Sequence, residues 1–144
     1  MALDLTGACL AQHLDACDDL PAETRRQAML ARVNAFIDHN LGDPDLGPAE
    51  IAAHHHTSVR SLHALFRQQG ESVAASIRRR RLERCRTDLT DPRMRLRPIS
   101  AIAARWGFLR PADFSRAFRV AYGVTPRELR QTALRGLPMP NGPR

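Results

Sequence analysis

Two short stretches of this chain place guanidinium, imidazole and small apolar side chains at helical spacing. In the first, Arg60, His63, Ala64 and Arg67 follow one another at intervals of three, one and three, so on a helix they share a face. In the second, Arg110, Ala112, Asp113 and Arg116 form a comparable set. A guanidinium fork can donate two hydrogen bonds to O6 and N7 of one guanine, and His63 can donate or accept at a base edge. Ala112 can touch a thymine methyl. Asp113 can accept from a cytosine amino group or orient Arg116 three residues on; the orienting role is expected, because a bare carboxylate near phosphates is repelled. Arg116 is the strongest candidate base reader, and Arg67 is placed to reach a phosphate.

Such side chains work only if something holds their helices. Opposite the first set lie Leu62, Leu65 and Phe66; opposite the second lie Phe114, Ala117, Phe118 and Ala121. Each set belongs to a repeat. Ile51-Ala52-Ala53 precedes Leu62-x3-Phe66-Arg67 and Gly70, and Ile102-Ala103-Ala104 precedes Phe114-x3-Phe118-Arg119 and Gly123. Each copy reads as a helix-turn-helix, a unit that places its second helix in a major groove of duplex DNA. Ser58 is an N-cap candidate, and Thr125-Pro126 opens a last helix.

Between the copies, residues 73–89 form the longest helical run, with Val73, Ile77, Leu82, Cys85 and Leu89 on its apolar side. At 1.5 Å per residue it spans about 25 Å, against roughly 34 Å between successive turns of one groove. DNA bending would meet the mismatch. The Arg78–Arg81 run is expected at phosphates or on the surface. The fold class is therefore all-α, with about seven helices: two helix-turn-helix units (46–70 and 98–122) joined by the long linker helix, a final helix at 125–135 and a flexible tail at 137–144. A helix is also expected over 24–40, stopped by Asn40-Leu41-Gly42.

The chain has 144 residues, 43% of them hydrophobic, and a net charge of +7. Residues 1–30 hold five acids against two arginines, so the positive charge is concentrated beyond them and favours a polyanion through counterion release. Every one of the 22 basic residues is Arg; GC-rich coding accounts for this as readily as selection for bidentate contacts. The three cysteines fit reduced thiols in a cytosol. No membrane span and no secretory signal are expected. Leu3, Leu10, Leu14 and Cys17 make a short stripe through which residues 1–20 can pair two copies. Cys9, His13 and Cys17 share a face but lack a fourth metal ligand, and His54-His55-His56 reads as a solvated connection, so no metal or other cofactor is expected. Trp106 is expected in the core. No nucleophile and base pair, phosphate loop or metalloprotease motif appears, which argues against an enzyme. The competing reading is a protein-interaction module that binds RNA polymerase or a sigma factor, with DNA binding secondary.

From about Arg32 to Arg130 the chain resembles the DNA-binding domain of AraC/XylS-family transcriptional regulators. The most specific stretch is Ile99-x2-Ile102-Ala103-x3-Gly107-Phe108-x5-Phe114-Ser115-Arg116-x-Phe118-Arg119-x3-Gly123-Val124-Thr125-Pro126-x2-Leu129-Arg130. The resemblance implies a cytoplasmic regulator on asymmetric promoter DNA, with RNA polymerase as a further partner. It implies base contacts at Arg60, His63 and Ala64 in the first unit and at Pro111, Ala112 and Arg116 in the second. Ser58, Arg67, Arg110, Asp113, Arg119 and Thr125 are expected at the backbone or in support. Pro111 and Ala112 offer no side-chain hydrogen bond, so direct readout by the second unit rests on Arg116. His56 stands where such turns commonly carry glycine, which predicts a looser first turn. The family usually carries an effector or dimerisation domain, of which residues 1–30 look like the final linker; any small-molecule effector would act through that domain.

Overall fold

The computed structural model describes residues 21–136. The leucine stripe of residues 1–20, the Cys9/His13/Cys17 group and the tail at 137–144 lie outside the described residues. Within them are seven α-helices, one short 3-10 turn and no strand. The helices are α1 (Ala22–His39), α2 (Pro48–His54), α3 (Val59–Arg67), α4 (Val73–Thr90), α5 (Ile99–Arg105), α6 (Pro111–Tyr122) and α7 (Pro126–Leu134). Because α1 begins at Ala22, the division expected between residues 30 and 31 falls inside one helix.

Two cores form, and both lean on α4. Val33 and Ile37 of α1, Ile51 and Ala52 of α2, and Leu62, Leu65 and Phe66 of α3 close on Val73 and Ile77. Ile102 and Ala103 of α5 and Phe114 and Phe118 of α6 close on Leu82, Cys85 and Leu89, and α7 adds Leu129. A helix buries one stripe only, yet α4 serves both cores because its buried positions split into two groups. The four residues at the split are Arg78–Arg81. Burial, then Asp88, pushes the Cys85 thiol up to about 12, so it packs as a small hydrophobe.

Of the seven aromatic residues, five belong to the second unit. Phe108, Phe114, Phe118 and Tyr122 run as a ladder with ring centroids 5.1, 5.7 and 4.8 Å apart, within the favourable range for tilted rings. Tyr122 takes the half-buried place expected for Ala121, which is exposed, and Ala117 is only partly covered. The longer ring reaches the core where a methyl group does not.

Local chemistry sets the ends of the helices. Ser58 Oγ accepts the Ser61 amide at 3.0 Å, and Ser72 Oγ accepts the Ala75 amide at 3.1 Å. Thr125 and Glu128 form a reciprocal capping box, each side chain accepting the other's backbone N–H. At the end of α1, Asn40 Nδ2 donates to the Phe36 carbonyl at 2.8 Å. Gly42 plays no part in that stop. A Cβ there would lie 2.8 Å from the Arg105 carbonyl, so its missing side chain admits the second unit.

Candidate nucleic-acid interface

On α3 the burial splits as the spacing required. Leu62, Leu65 and Phe66 are buried, and Arg60, His63, Ala64 and Arg67 are exposed. On α6, Phe114 and Phe118 are buried, while Arg110, Pro111, Ala112, Asp113, Arg116 and Arg119 are exposed. The structure therefore groups each set on one outward face, in two separate clusters held by the two ends of α4, whose 18 residues span about 27 Å.

The two turns are equivalent. In the first, the His56 amide donates to the Ala53 carbonyl at 3.3 Å and the Thr57 amide to the Ala52 carbonyl at 3.0 Å. In the second, Gly107 donates to Ala104 at 3.1 Å and Phe108 to Ala103 at 3.0 Å. His56 reaches this geometry at φ +52° and Gly107 at φ +89°. The looser first turn expected from His56 does not occur: its backbone enters the left-handed region and accepts the strain. The histidine run is only partly a solvated connection: His54 and His56 are exposed, and His55 is half-buried. His54 stacks on Phe36 at 4.1 Å and His55 meets the same ring edge-on at 5.4 Å. His55 is half-buried with Nε2 unbonded, and burial, then the charges of His54, Arg32 and His56, holds its pKa below the usual histidine range.

The arginines divide into two populations. Among the described residues, Arg60, Arg67, Arg110, Arg116 and Arg119 are exposed and make no ion pair or hydrogen bond. Those of α4 are mostly engaged. Arg79 bonds Glu71 and Glu83, which holds the Glu71 carboxyl below its usual range. Arg80 reaches Asp38 at 2.8 Å and Asn34 at 2.9 Å. Arg84 and Arg86 lie over the rings of Trp106 and Tyr122, at 5.6 and 4.9 Å from the centroids. The expectation of a surface or phosphate-facing Arg78–Arg81 run holds for exposed Arg78 and Arg79 and is corrected for half-buried Arg80 and Arg81; only Arg78 is both exposed and free of such partners among the described residues. The acceptors of Arg80 and Arg81 come from distant parts of the chain, which spacing along one helix does not reveal.

Arg78 joins Arg110 and Arg116 on the wall of an open groove of about 1230 Å³ between α4 and α6. Asp113 lines the same groove but makes no ion pair with Arg116, so the orienting bond expected between them is absent among the described residues. Leu109 and Val120, 73% and 84% exposed, also line it. Sequence reasoning missed both; the signal was two large apolar side chains flanking the outward face rather than the core stripe. Ser58 and Thr125 are caps, so their hydroxyls already have helix-end duties. Trp106 is half-buried and packs against both cores while Nε1 donates to Asp88 at 2.8 Å.

Comparison with known proteins agrees with this geometry. A helix-turn-helix domain family matches residues 51–132. The transcriptional activator NphR of a Rhodococcus species is 33% identical over 125 residues, covering 87% of this chain and 36% of that protein. The XylDLEGF operon transcriptional activator of Pseudomonas putida is 37% identical over 102 residues, covering 69% and 32%. The chain thus spans about a third of the length of these curated relatives. Among solved structures, an AraC-type transcriptional regulator from Chromobacterium violaceum superposes with a TM-score of 0.68 at 27% identity, covering 76% of this chain and 96% of that one. No helix among the described residues is long and apolar enough to cross a membrane. With a doubled turn geometry, two outward arginine faces and these relatives, the chain belongs to the AraC-type helix-turn-helix family of DNA-binding transcriptional regulators, a family of regulators and not of enzymes.

Proposed function

We propose that this chain reads two successive major-groove segments of a promoter, one with each helix-turn-helix unit. Arg60, His63 and Ala64 meet base edges in the first segment, and Arg116 with Ala112 in the second. Arg67, Arg110 and Arg119 bind phosphates. Ser58, Asp113 and Thr125 support them, two by capping helices and one by shaping the groove rim. The observation that carries this reading is the split between arginines: those on α3 and α6 lack protein partners among the described residues, whereas those on α4 are mostly engaged. A guanidinium left in water on a shaped surface is available for phosphate or guanine at small desolvation cost.

Leu109 and Val120 extend the second face with apolar contact for thymine methyls or sugars. The reading faces differ between the units, so the site is non-palindromic. The protein acts in the cytoplasm, on the nucleoid, and contacts RNA polymerase; its role as an activator is supported by its relatives' names. Pairing of two copies through residues 1–20, and response to a small effector through a further domain, complete the proposal. The DNA-binding domain takes in the whole of α1 and so runs from Ala22 to about residue 136.

Selection of bound duplexes from a random library, followed by footprinting, tests the reading. Two protected segments on one face of the duplex, about one helical turn apart, are expected. Protection of a single segment, or no preferred sequence, overturns it.

A further inference from the structure

Arg81 is the one member of the arginine run that touches both units. Its Nε donates to the Leu41 carbonyl at 2.9 Å and its Nη2 to the Asp43 carbonyl, in the loop that follows α1. The other side of the guanidinium lies against Gly107, in the turn of the second unit. A Cβ on Gly107 would come within 2.8 Å of Arg81 Cζ and 2.9 Å of Nε. The same loop meets the same turn directly, because a Cβ on Gly42 would lie 2.8 Å from the Arg105 carbonyl. Three pieces of chain therefore converge at the joint between the two cores: the middle of α4, the loop after α1 and the turn between α5 and α6.

That joint lies where the two units could otherwise move. The first core ends on α4 at Ile77 and the second begins at Leu82. Only one helical turn separates them, so a small rotation there swings α6 relative to α3. Arg81 opposes it with two donors at fixed angles, a geometry a lysine cannot copy. Arg80 also bonds α1, through Asp38 and Asn34, but both partners lie in the first unit. Gly107 needs its missing side chain twice, for φ +89° and for the guanidinium.

We propose that Arg81, clamped between the Leu41–Asp43 loop and Gly107, is the positioning residue that fixes the phase of the two reading helices and so sets the half-site spacing the chain accepts. This rests on the two-segment reading. One inserted base pair displaces the second segment by about 3.4 Å and turns it by about 35°, which a rigid pair of units cannot follow without deforming the DNA.

The test uses the whole chain, its selected site and a derivative with one base pair inserted between the segments. Wild type should lose about ten-fold or more in affinity on insertion, and Arg81→Met about three-fold or less, with base preferences inside each segment unchanged. Gly107→Ala should behave like Arg81→Met, whereas Arg80→Met should keep the wild-type penalty. Without DNA, residual dipolar couplings from the two units should fit one alignment in wild type and two in Arg81→Met. An unchanged penalty and a single alignment in both Arg81→Met and Gly107→Ala overturn the inference alone. A wild-type footprint confined to one segment overturns the two-segment reading, and the spacing role with it. Should Arg81→Met fail to fold, Gly107→Ala and Arg81→Lys decide the matter by the same criteria.

Discussion

Arginine serves two opposite ends in this chain. Arg116 is exposed and makes no side-chain bond among the described residues, so its loss costs no fold contact there. Arg116→Ala should leave thermal unfolding unchanged and reduce affinity by about 1–3 kcal/mol, with relaxed preference at one position of the second segment. Equal losses on specific and random duplexes would show a phosphate role instead. His55 behaves differently. Burial holds its folded pKa below the ordinary histidine value, so the unfolded chain binds the proton more readily. Stability is then full above the unfolded pKa, about 6.5, and falls as pH drops below it toward the folded value. Urea denaturation at pH 7.5 and 5.5 should show that decline, and His55→Phe should reduce it. At the adjacent position, His56→Gly exchanges left-handed strain for chain entropy. A gain of about 0.5 kcal/mol is expected in thermal unfolding.

Helices here are defined as much by their ends as by their stripes. Thr125 sits in a full capping box, so Thr125→Ala should cost about 1 kcal/mol of stability. Selected-site preference should stay unchanged, which separates a cap from a base contact. The aromatic ladder makes the second unit the harder one to perturb gently. Phe118 is fully buried between Phe114 and Tyr122, and Phe118→Ala should cost about 3–5 kcal/mol in chemical denaturation. The two turns share one hydrogen-bond pattern despite His56 in one and Gly107 in the other. Turn geometry is therefore imposed by the helices packed on either side, and residue type alters its strain rather than its shape.

Both units carry exposed arginines, in two clusters. Arg60, Arg67, Arg78, Arg110, Arg116 and Arg119 are exposed and free of protein partners among the described residues. If all six displace counterions, the logarithm of the binding constant should fall with the logarithm of salt at a slope of about −5. Arg78→Ala should reduce that slope by about one without changing sequence preference. Arg79→Ala should leave it unchanged, since Arg79 is held by Glu71 and Glu83. A titration from low to moderate salt distinguishes the two. The fall of net charge onto specific residues, rather than the +7 total, sets the response.

The helices, the two outward faces and the family were legible in the chain because each depends on local spacing. A helix that buries one side must repeat its apolar residues with the helical period, and Leu62, Leu65, Phe66, Phe114 and Phe118 do so. The division of labour among adjacent arginines was not legible. Arg78, Arg79, Arg80 and Arg81 are identical in type, and the fates of Arg80 and Arg81 depend on partners outside the helix. Asp38 lies 42 residues from Arg80, and the Leu41 carbonyl lies 40 from Arg81. The same holds for Gly42, whose role appears only against the Arg105 carbonyl, and for Trp106, which packs on two cores at once. Periodicity encodes which side of a helix is buried. Which distant backbone oxygen, ring or carboxylate meets a given guanidinium is encoded only in how the helices pack.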